Sequence, residues 1–294
     1  MEGKGSKEEI MSTILDGKAF AALCKENIAA EVERFASLGH RPGLAVVLVG
    51  NNPASQVYVR NKEKDCKECG IYSAMYTLPE ETTEAQLLEL LDVLNHDSKI
   101  HGVLVQLPVP KQIDPQRVIE AIDPIKDVDC FHPMNVGYLT QGMPRFAPCT
   151  PAGIVRLMEH YGIDPAGKHC VVIGRSNIVG KPMSLLLLQE NGTVTICHSG
   201  TADLKAQTLQ ADILVSAVGK TGFVTADMVK EGAVVIDVAM NRNEQGKLCG
   251  DVVYEEVAEK AAAITPVPGG VGPMTRVMLL ENTLTACRLQ CNLD

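Results

Sequence analysis

The sequence has no apolar run approaching the ~18 residues that a membrane-spanning helix needs, so a helical membrane protein is not expected. The opening segment, Met1 to Glu9, lacks the hydrophobic stretch and small-residue cleavage site of a secretion signal and reads as a flexible leader. Basic residues are too few for a nucleic-acid partner: 27 Lys and Arg stand against 36 Asp and Glu, for a net charge of −9. With a pI near 5.3, the chain lacks the positive surface that phosphate-backbone binding requires. A second C-x-x-C to complete a zinc ribbon with Cys66 and Cys69 is missing, since Cys287 and Cys291 are four apart. The Cys66–Cys69 pair ends a helical pattern and reads as two thiols on a helix, not as a redox motif. Ten scattered cysteines without a secretion signal fit a reduced, cytoplasmic protein.

What remains is an ordinary globular composition, 46% hydrophobic and 21% charged over 294 residues. At roughly 150 residues per domain that length suggests two domains, each able to bury a core. Helical stripes alternate with short Val-rich runs. Phe20, Leu23, Cys24, Ile28, Val32 and Phe35 share a helix face ahead of the run 44–49. A helix over 53–69, a strand over 72–78, a helix carrying Leu87, Leu88, Leu91 and Leu94, and a strand over 101–107 follow. Between Asp123 and Gly153 prolines and glycines crowd in, placing a domain boundary near Pro148. Beyond it, strands are predicted at 170–173, 193–197, 213–216 and 234–237, with helices between the first three and a final helix carrying Val277, Leu280, Leu284, Cys287 and Cys291. This βαβ rhythm is that of an α/β protein whose helices cover both faces of a parallel sheet.

In the second half the strand 170–173 runs into Gly174-Arg175-Ser176-Asn177-Ile178-Val179-Gly180-Lys181-Pro182 and then a Leu-rich helix. Strand, glycine turn and helix N-terminus make a phosphate site, because free backbone N–H groups and the helix dipole face the anion. The spacing is neither G-x-G-x-x-G nor a Walker loop. Pro182 stands where Ser or Thr would hold magnesium, and Gly219-Lys220-Thr221 lacks its upstream glycine, so ATP chemistry is disfavoured. By itself such a turn can be purely structural. About twenty residues on, where an NAD site carries an acid for the ribose hydroxyls, the chain has His198 and Ser199. Arg175 directly follows the first glycine and can pair a 2′-phosphate. That combination favours NADP.

In the first half Tyr58 and Lys62 are four apart on one helix face. A phenol beside an ammonium supports proton transfer, although an isolated Y-x-x-x-K is most often a solvated pair. Short-chain dehydrogenases carry Y-x-x-x-K downstream of their glycine turn; here it lies upstream, which excludes that family. Gln106 falls at a strand end, where α/β sheets bind ligands. Asp127, Asp129 and His132 cluster at the domain boundary, and the run 266–275, P-V-P-G-G-V-G-P-M-T, is a side-chain-poor loop that lets a flat ligand approach the backbone. Each of these alone could be structural.

Taken in order, P-A-S before Y-V-R-N-K, then V-Q-L-P, K-D-V-D, G-R-S-x-x-V-G-x-P and P-V-P-G-G-V-G-P-M-T resemble the methylenetetrahydrofolate dehydrogenase/methenyltetrahydrofolate cyclohydrolase family over nearly everything after the leader. The resemblance implies an α/β protein of two domains with a cleft between: a catalytic, folate-binding domain over 1–147, completed by the last helix 274–294, and a Rossmann-type NADP-binding domain over 148–273. It implies NADP-dependent oxidation of methylenetetrahydrofolate to the methenyl form and hydrolysis of that to 10-formyltetrahydrofolate. Lys62 would be the catalytic lysine, Tyr58 would stack on the folate, Gln106 would tune the lysine and Asp129 would hold the pterin-side nitrogens. Arg175 and Ser199 match positions that touch the 2′-phosphate, with Gly174, Ser176 and Ile178 in the same turn. Thr150 and the segment from Gly270 to Pro273 would border nicotinamide and substrate. Tetrahydrofolate derivatives are the implied partners, a homodimer the implied assembly, and no metal is called for.

Three positions depart from the usual pattern: Cys130 where glycine is common, Ala239-Met240 for Gly-Ile, and Arg276 where an aliphatic residue is frequent. None removes a proposed catalytic side chain. A catalytically silent NADP- or folate-binding protein on the same fold would be expected to lose Lys62 or Asp129, and both are present. A dehydrogenase of small hydroxy acids would want a His–Asp pair or paired Arg, and no such constellation is evident.

Overall fold

The computed structural model describes residues 12–293; the leader lies outside them. In chain order the elements are β1 (Thr13–Ile14), α1 (Gly17–Ser37), β2 (Gly43–Val49), α2 (Pro53–Glu68), β3 (Tyr72–Leu78), α3 (Glu84–His96), β4 (Gly102–Val105), α4 (Pro115–Ala121), α5 (Pro133–Thr140) and α6 (Cys149–His160). There follow β5 (His169–Ile173), α7 (Gly180–Gln189), β6 (Thr193–Cys197), α8 (Leu204–Thr208), β7 (Ile213–Ser216), β8 (Val234–Asp237), β9 (Asn241–Arg242), β10 (Leu248–Cys249), α9 (Tyr254–Ala258), β11 (Ala263–Ile264) and α10 (Val271–Cys291).

The chain divides into two compact units. Among the described residues, one takes 12–18 together with 154–272, the other 19–153 together with 273–293. The last helix therefore belongs with the first-half strands from Pro273 onward. Residues 13–18 are a correction to the division at 147: they join the second-half unit because β1 pairs in parallel with β11, Thr13 opposite Ala263 and Ile14 opposite Ile264. The other crossing falls inside α6, after Gly153 instead of at Pro148.

The unit of 19–153 and 273–294 is built on a parallel three-stranded sheet, β3-β2-β4. Its central strand β2 is buried at all seven positions, which is why Gly43–Val49 reads as a continuous apolar run and not as an alternation. Leu87, Leu91 and Leu94 of α3 pack on Ala45, Val47 and Val103 of this sheet. Each such side chain contributes ~1.5–3 kcal/mol by leaving water. The start of α3 is set by a capping box, with Thr83 Oγ1 accepting from Gln86 N–H and the Gln86 amide oxygen accepting from Thr83 N–H. Strand β4 is shorter than the sequence pattern suggested. It stops at Val105, so Gln106 stands just beyond its carboxyl end.

The other unit carries a six-stranded sheet in the order β1-β11-β8-β7-β5-β6, parallel throughout. The protein thus has two parallel sheets, and its only antiparallel pairing among the described residues is the β9–β10 hairpin. Between β7 and β8 the chain has only a short 3-10 turn, Ala226–Met228.

Candidate functional site

Helix α2 presents the first cluster. Lys62 Nζ donates to Gln106 Oε1 at 3.1 Å, and the other end of that amide is fixed, because Gln106 Nε2 donates to the Leu107 carbonyl at 2.8 Å. The amide cannot rotate without losing that bond, so its oxygen is the face turned to the lysine. Burial holds Lys62 below the ordinary lysine range; the Asp129 carboxylate opposes this, and the Cys149 and Cys66 sulfurs do so further. Asp129 is pushed up by its own burial, against the pull of Lys62. Lys62, Gln106 and Asp129 are therefore brought together within one unit. Tyr58 lies one turn before Lys62 and is 36% exposed, leaving ring surface open to a ligand.

The two carboxylates of D-V-D have separate tasks. Asp127 is buried and accepts from Phe131 N–H at 3.1 Å, His132 N–H at 2.9 Å and Asn135 Nδ2 at 2.8 Å. It folds the loop. Asp129, two residues on, faces a small recess lined by Leu104, Leu107, Ile119 and Phe131. Residues that the sequence reading did not single out hold it there. The Cys149 thiol reaches the Val128 carbonyl at 3.4 Å and Asp129 Oδ1 at 3.6 Å. Asn282 of α10 donates to Val128 O at 2.8 Å and Ala147 O at 2.9 Å. Cys66 did carry a signal, being four residues after Lys62 on the same helix. Burial pushes its thiol up to about 12 and that of Cys69 to about 11, the opposite of an activated redox pair. Cys69 lies just past the end of α2.

Two of the departures have structural accounts. Cys130 sits at φ 60°, in the left-handed region that favours glycine, at a strain of roughly 1 kcal/mol. Arg276 Nε pairs with Asp65 Oδ2 at 3.2 Å, and Lys25 pairs with the other oxygen of the same buried carboxylate. Asp65 is three residues after Lys62, so this ion cluster fastens α2 to α1 and α10. Nothing in the structure explains the Ala239-Met240 change.

The second cluster lies in the six-stranded unit. Gly174 follows β5 at φ 131°, and a Cβ there would stand 2.6 Å from the Ala217 carbonyl. A Cβ on Gly180 would fall 2.3 Å from the Gly174 carbonyl. Both glycines are obligatory for a turn this tight, and the turn leaves backbone at its surface. Ser176 Oγ accepts from Val179 N–H at 3.2 Å and Gly180 N–H at 3.3 Å, so it caps α7 and keeps only its own O–H for a ligand. Ile173 is paired with Cys197 across β5 and β6. Arg175 and Ser199 each stand two residues beyond that pair, both exposed, at the carboxyl ends of neighbouring strands. Ile178 is exposed in the same turn. This arrangement suits an anionic dinucleotide, with backbone N–H groups for the diphosphate and a guanidinium beside a hydroxyl for a further phosphate.

The other glycine-lysine run serves the fold. Asp251 accepts from the N–H groups of Val218, Gly219 and Lys220 and from Ser216 Oγ and Asn241 Nδ2, so an internal carboxylate takes the donors that a phosphate loop would offer. In the P-V-P-G-G-V-G-P-M-T segment Gly270 is buried, and its carbonyl would lie 1.9 Å from a Cβ on Gly17. The backbone there packs against the start of α1. Pro273 and Thr150 belong to the other unit, where Thr150 Oγ1 meets Thr275 Oγ1 at 3.0 Å.

Residues 15–129 match the tetrahydrofolate dehydrogenase/cyclohydrolase catalytic domain, and 148–291 match the NAD(P)-binding domain of the same family. The chain belongs to that family. The bifunctional protein FolD of Paracidovorax citrulli is 60% identical over 273 residues, 93% of this chain and 96% of that one. Among solved structures, the FolD methylenetetrahydrofolate dehydrogenase/cyclohydrolase of Campylobacter jejuni is 51% identical with a TM-score of 0.93, covering 95% of this chain and 99% of that one. The Trypanosoma brucei enzyme, crystallised with NADP and an inhibitor, is 38% identical with a TM-score of 0.92, covering 96% and 99%. The family's NAD(P)-binding domain model runs to residue 291, whereas here the chain from Pro273 onward packs with the catalytic strands.

Proposed function

We propose that Lys62, held by Gln106 and facing Asp129, is the proton-transfer centre of a bifunctional dehydrogenase/cyclohydrolase acting on methylenetetrahydrofolate. The observation that carries this reading is the Lys62 Nζ–Gln106 Oε1 contact in a setting that lowers the lysine's proton affinity. The lowering enlarges the share of neutral amine, the only form that can accept a proton.

In the first reaction the methylene carbon gives up a hydride, and the cation left behind is stabilised by its two flanking nitrogens. No proton moves through the protein, so the chain's task is alignment. Tyr58 stacks on the folate ring system and Asp129 accepts from its ring N–H groups. NADP, when bound, supplies the hydride-accepting ring. Arg175 and Ser199 hold its 2′-phosphate, the N–H groups of the Gly174 turn hold the diphosphate, and the Ser176 O–H donates alongside them.

In the second reaction water adds to the methenyl carbon. Its proton passes to Lys62 Nζ as the C–O bond forms; a ring nitrogen takes a proton as the C–N bond breaks; 10-formyltetrahydrofolate and one proton result. Gln106 keeps Nζ pointed at this site.

The resemblance supports a homodimer, which light scattering reads directly. The ten cysteines, all free, support a reducing, cytoplasmic setting. The activity is tested with methylenetetrahydrofolate and either NADP or NAD, following absorbance of the reduced cofactor and of the methenyl product. Reduced cofactor formed with NADP, and methenyl compound consumed in its absence, are the expected results. Failure of either reaction with folded protein overturns the bifunctional reading.

A further inference from the structure

Far along the chain from these residues, the last turn of α10 meets the entry to β4. Cys287 is fully buried and Cys291, the last residue of the helix, is half-exposed. The nearest ligand-type atoms of His101, Cys287 and Cys291 all lie within 4.8 Å of one another. Such a trio invites a thiophilic metal, but the imidazole is oriented against it. His101 Nδ1 accepts from Gly43 N–H at 3.1 Å, so the proton of the neutral ring sits on Nε2, which lies 3.5 Å from Cys291 Sγ. A metal on Nε2 would need that nitrogen bare and Nδ1 protonated, setting Nδ1–H against Gly43 N–H.

The same geometry serves sulfur chemistry instead. A ring N–H directed at Cys291 Sγ stabilises negative charge on that sulfur. Burial keeps His101 neutral down to about 4, so the ring remains an N–H donor without adding a cation. Cys287 holds its proton up to about 12, through burial and the nearby Cys291 sulfur, whereas Cys291 is the half-exposed member that the ring nitrogen faces. Cα atoms four residues apart on a helix are about 6 Å apart, inside the span of about 4.4–6.8 Å that disulfides bridge, but their Cβ atoms stand about 5–6 Å apart against the roughly 3.5–4.5 Å of a disulfide, so the last turn must unwind to close the bond. Asn292 follows at φ 53°, so the bond would close in a terminal turn with no helix beyond it to distort.

We propose that Cys291 is a peroxide-reactive thiol and Cys287 its resolving partner, closing a disulfide within the last turn of α10. The co-reactant is a hydroperoxide. The Cys291 thiolate attacks the terminal oxygen; an S–O bond forms, the O–O bond breaks, and the leaving oxygen takes a proton as water or an alcohol. Sulfur is oxidised to the sulfenic acid and the peroxide is reduced. Cys287 sulfur then attacks the sulfenic sulfur; S–S forms, S–O breaks, and hydroxide leaves as water with the Cys287 proton. A dithiol reverses the change. Gln290 donates to the carbonyls of His101 at 2.7 Å and Ile125 at 3.3 Å, so the turn that closes is the one that clasps the entry to β4.

The test treats the full chain with hydrogen peroxide and digests it with trypsin, which cuts after Arg276 and Arg288 and places the two cysteines on separate peptides. The internal reference is Cys249, also half-exposed, whose sulfur has the Thr221 hydroxyl at 3.5 Å and no imidazole contact. The expected product is peptides 277–288 and 289–294 joined, two hydrogens lighter than their sum and separated by dithiothreitol. In Cys287→Ser, dimedone should trap a sulfenic acid at Cys291. In His101→Gln, Cys291 oxidation should slow relative to Cys249 by about tenfold, the weight of one charge-assisted hydrogen bond. Oxidation of Cys291 no faster than Cys249, or the absence of the joined pair, overturns the proposal. So does stoichiometric Zn2+ binding that shields both thiols from peroxide and from alkylation, which would make this a metal site.

Discussion

The Lys62 ammonium is 3.1 Å from Gln106 Oε1, and Gln106 is itself pinned to the Leu107 carbonyl. The lysine therefore meets a neutral acceptor of fixed orientation, placed just past the end of β4. Replacing that acceptor by a charge is the most selective perturbation of the pair. In Gln106→Glu a carboxylate would stand beside Nζ and favour the ammonium, raising the lysine pKa. The pH profile of the hydrolysis should move upward, with rates at pH 7 falling. An unmoved profile would separate the lysine from the hydrolytic step.

Arg175 and Ser199 stand two residues past the Ile173–Cys197 pair at the ends of β5 and β6. Loss of the guanidinium in Arg175→Ala removes charge-assisted bonds to a 2′-phosphate, worth ~1.5–3 kcal/mol, or roughly ten- to a hundredfold in affinity. The Michaelis constant for NADP should rise by that factor while any activity with NAD changes little. Equal losses with both cofactors would remove Arg175 from the phosphate site.

Asp129 is distinguished from Asp127 by its hydrogen bonds. Asp127 is engaged by the backbone of its own loop, whereas Asp129 has the Cys149 thiol as a weak donor. Asp129→Ala should lower both activities and leave NADP binding unchanged by titration, since the cofactor cluster is in the other unit. Normal turnover in the variant would return Asp129 to a role in the loop.

His101 gives a stability signature. Its folded pKa is held down to about 4 by burial, chiefly, from the ordinary 6.5. Between those values the unfolded chain binds the proton and the folded chain does not, so this stability is fully present above 6.5 and is lost as pH falls towards 4. From pH 7 to pH 5 the loss should be about 2 kcal/mol. Urea denaturation at the two pH values should show it in the wild type, with the His101→Gln variant losing less by that amount. Equal losses in the two proteins would contradict it.

Several strands were legible as written: Tyr72–Leu78, Thr193–Cys197, Ile213–Ser216 and Val234–Asp237 have the predicted bounds, the last two as short buried apolar runs and the first two, at sheet edges, as aromatic and β-branched runs. Strands β1 and β11, two residues each, are too short to carry a pattern, and it is their pairing that takes residues 13–18 into the second unit. Lys62 and Tyr58 could be found because helical spacing is local, and Gln106 because it directly follows the apolar run 102–105, although the strand end itself was placed two residues too late. Cys149 and Asn282 could not. They reach Asp129 and the Val128 carbonyl across 20 and 154 residues of sequence, and nothing local announces a contact of that kind. The role of Asp251 was hidden for the same reason, since the carboxylate that occupies the Val218–Lys220 N–H groups lies some thirty residues downstream.

The central claim is that Lys62 moves protons in the hydrolysis and only positions substrate in the oxidation. General acid–base help is worth ~10²–10⁴ in rate, so Lys62→Ala should lose the cyclohydrolase by that factor while the dehydrogenase falls far less. The decisive measurement takes both rates on one preparation of the variant, with circular dichroism showing native secondary structure. A hydrolysis rate reduced at least a hundredfold more than the oxidation rate is the predicted result. A fall of both by the same factor would make Lys62 a binding residue and place the proton transfer on another group.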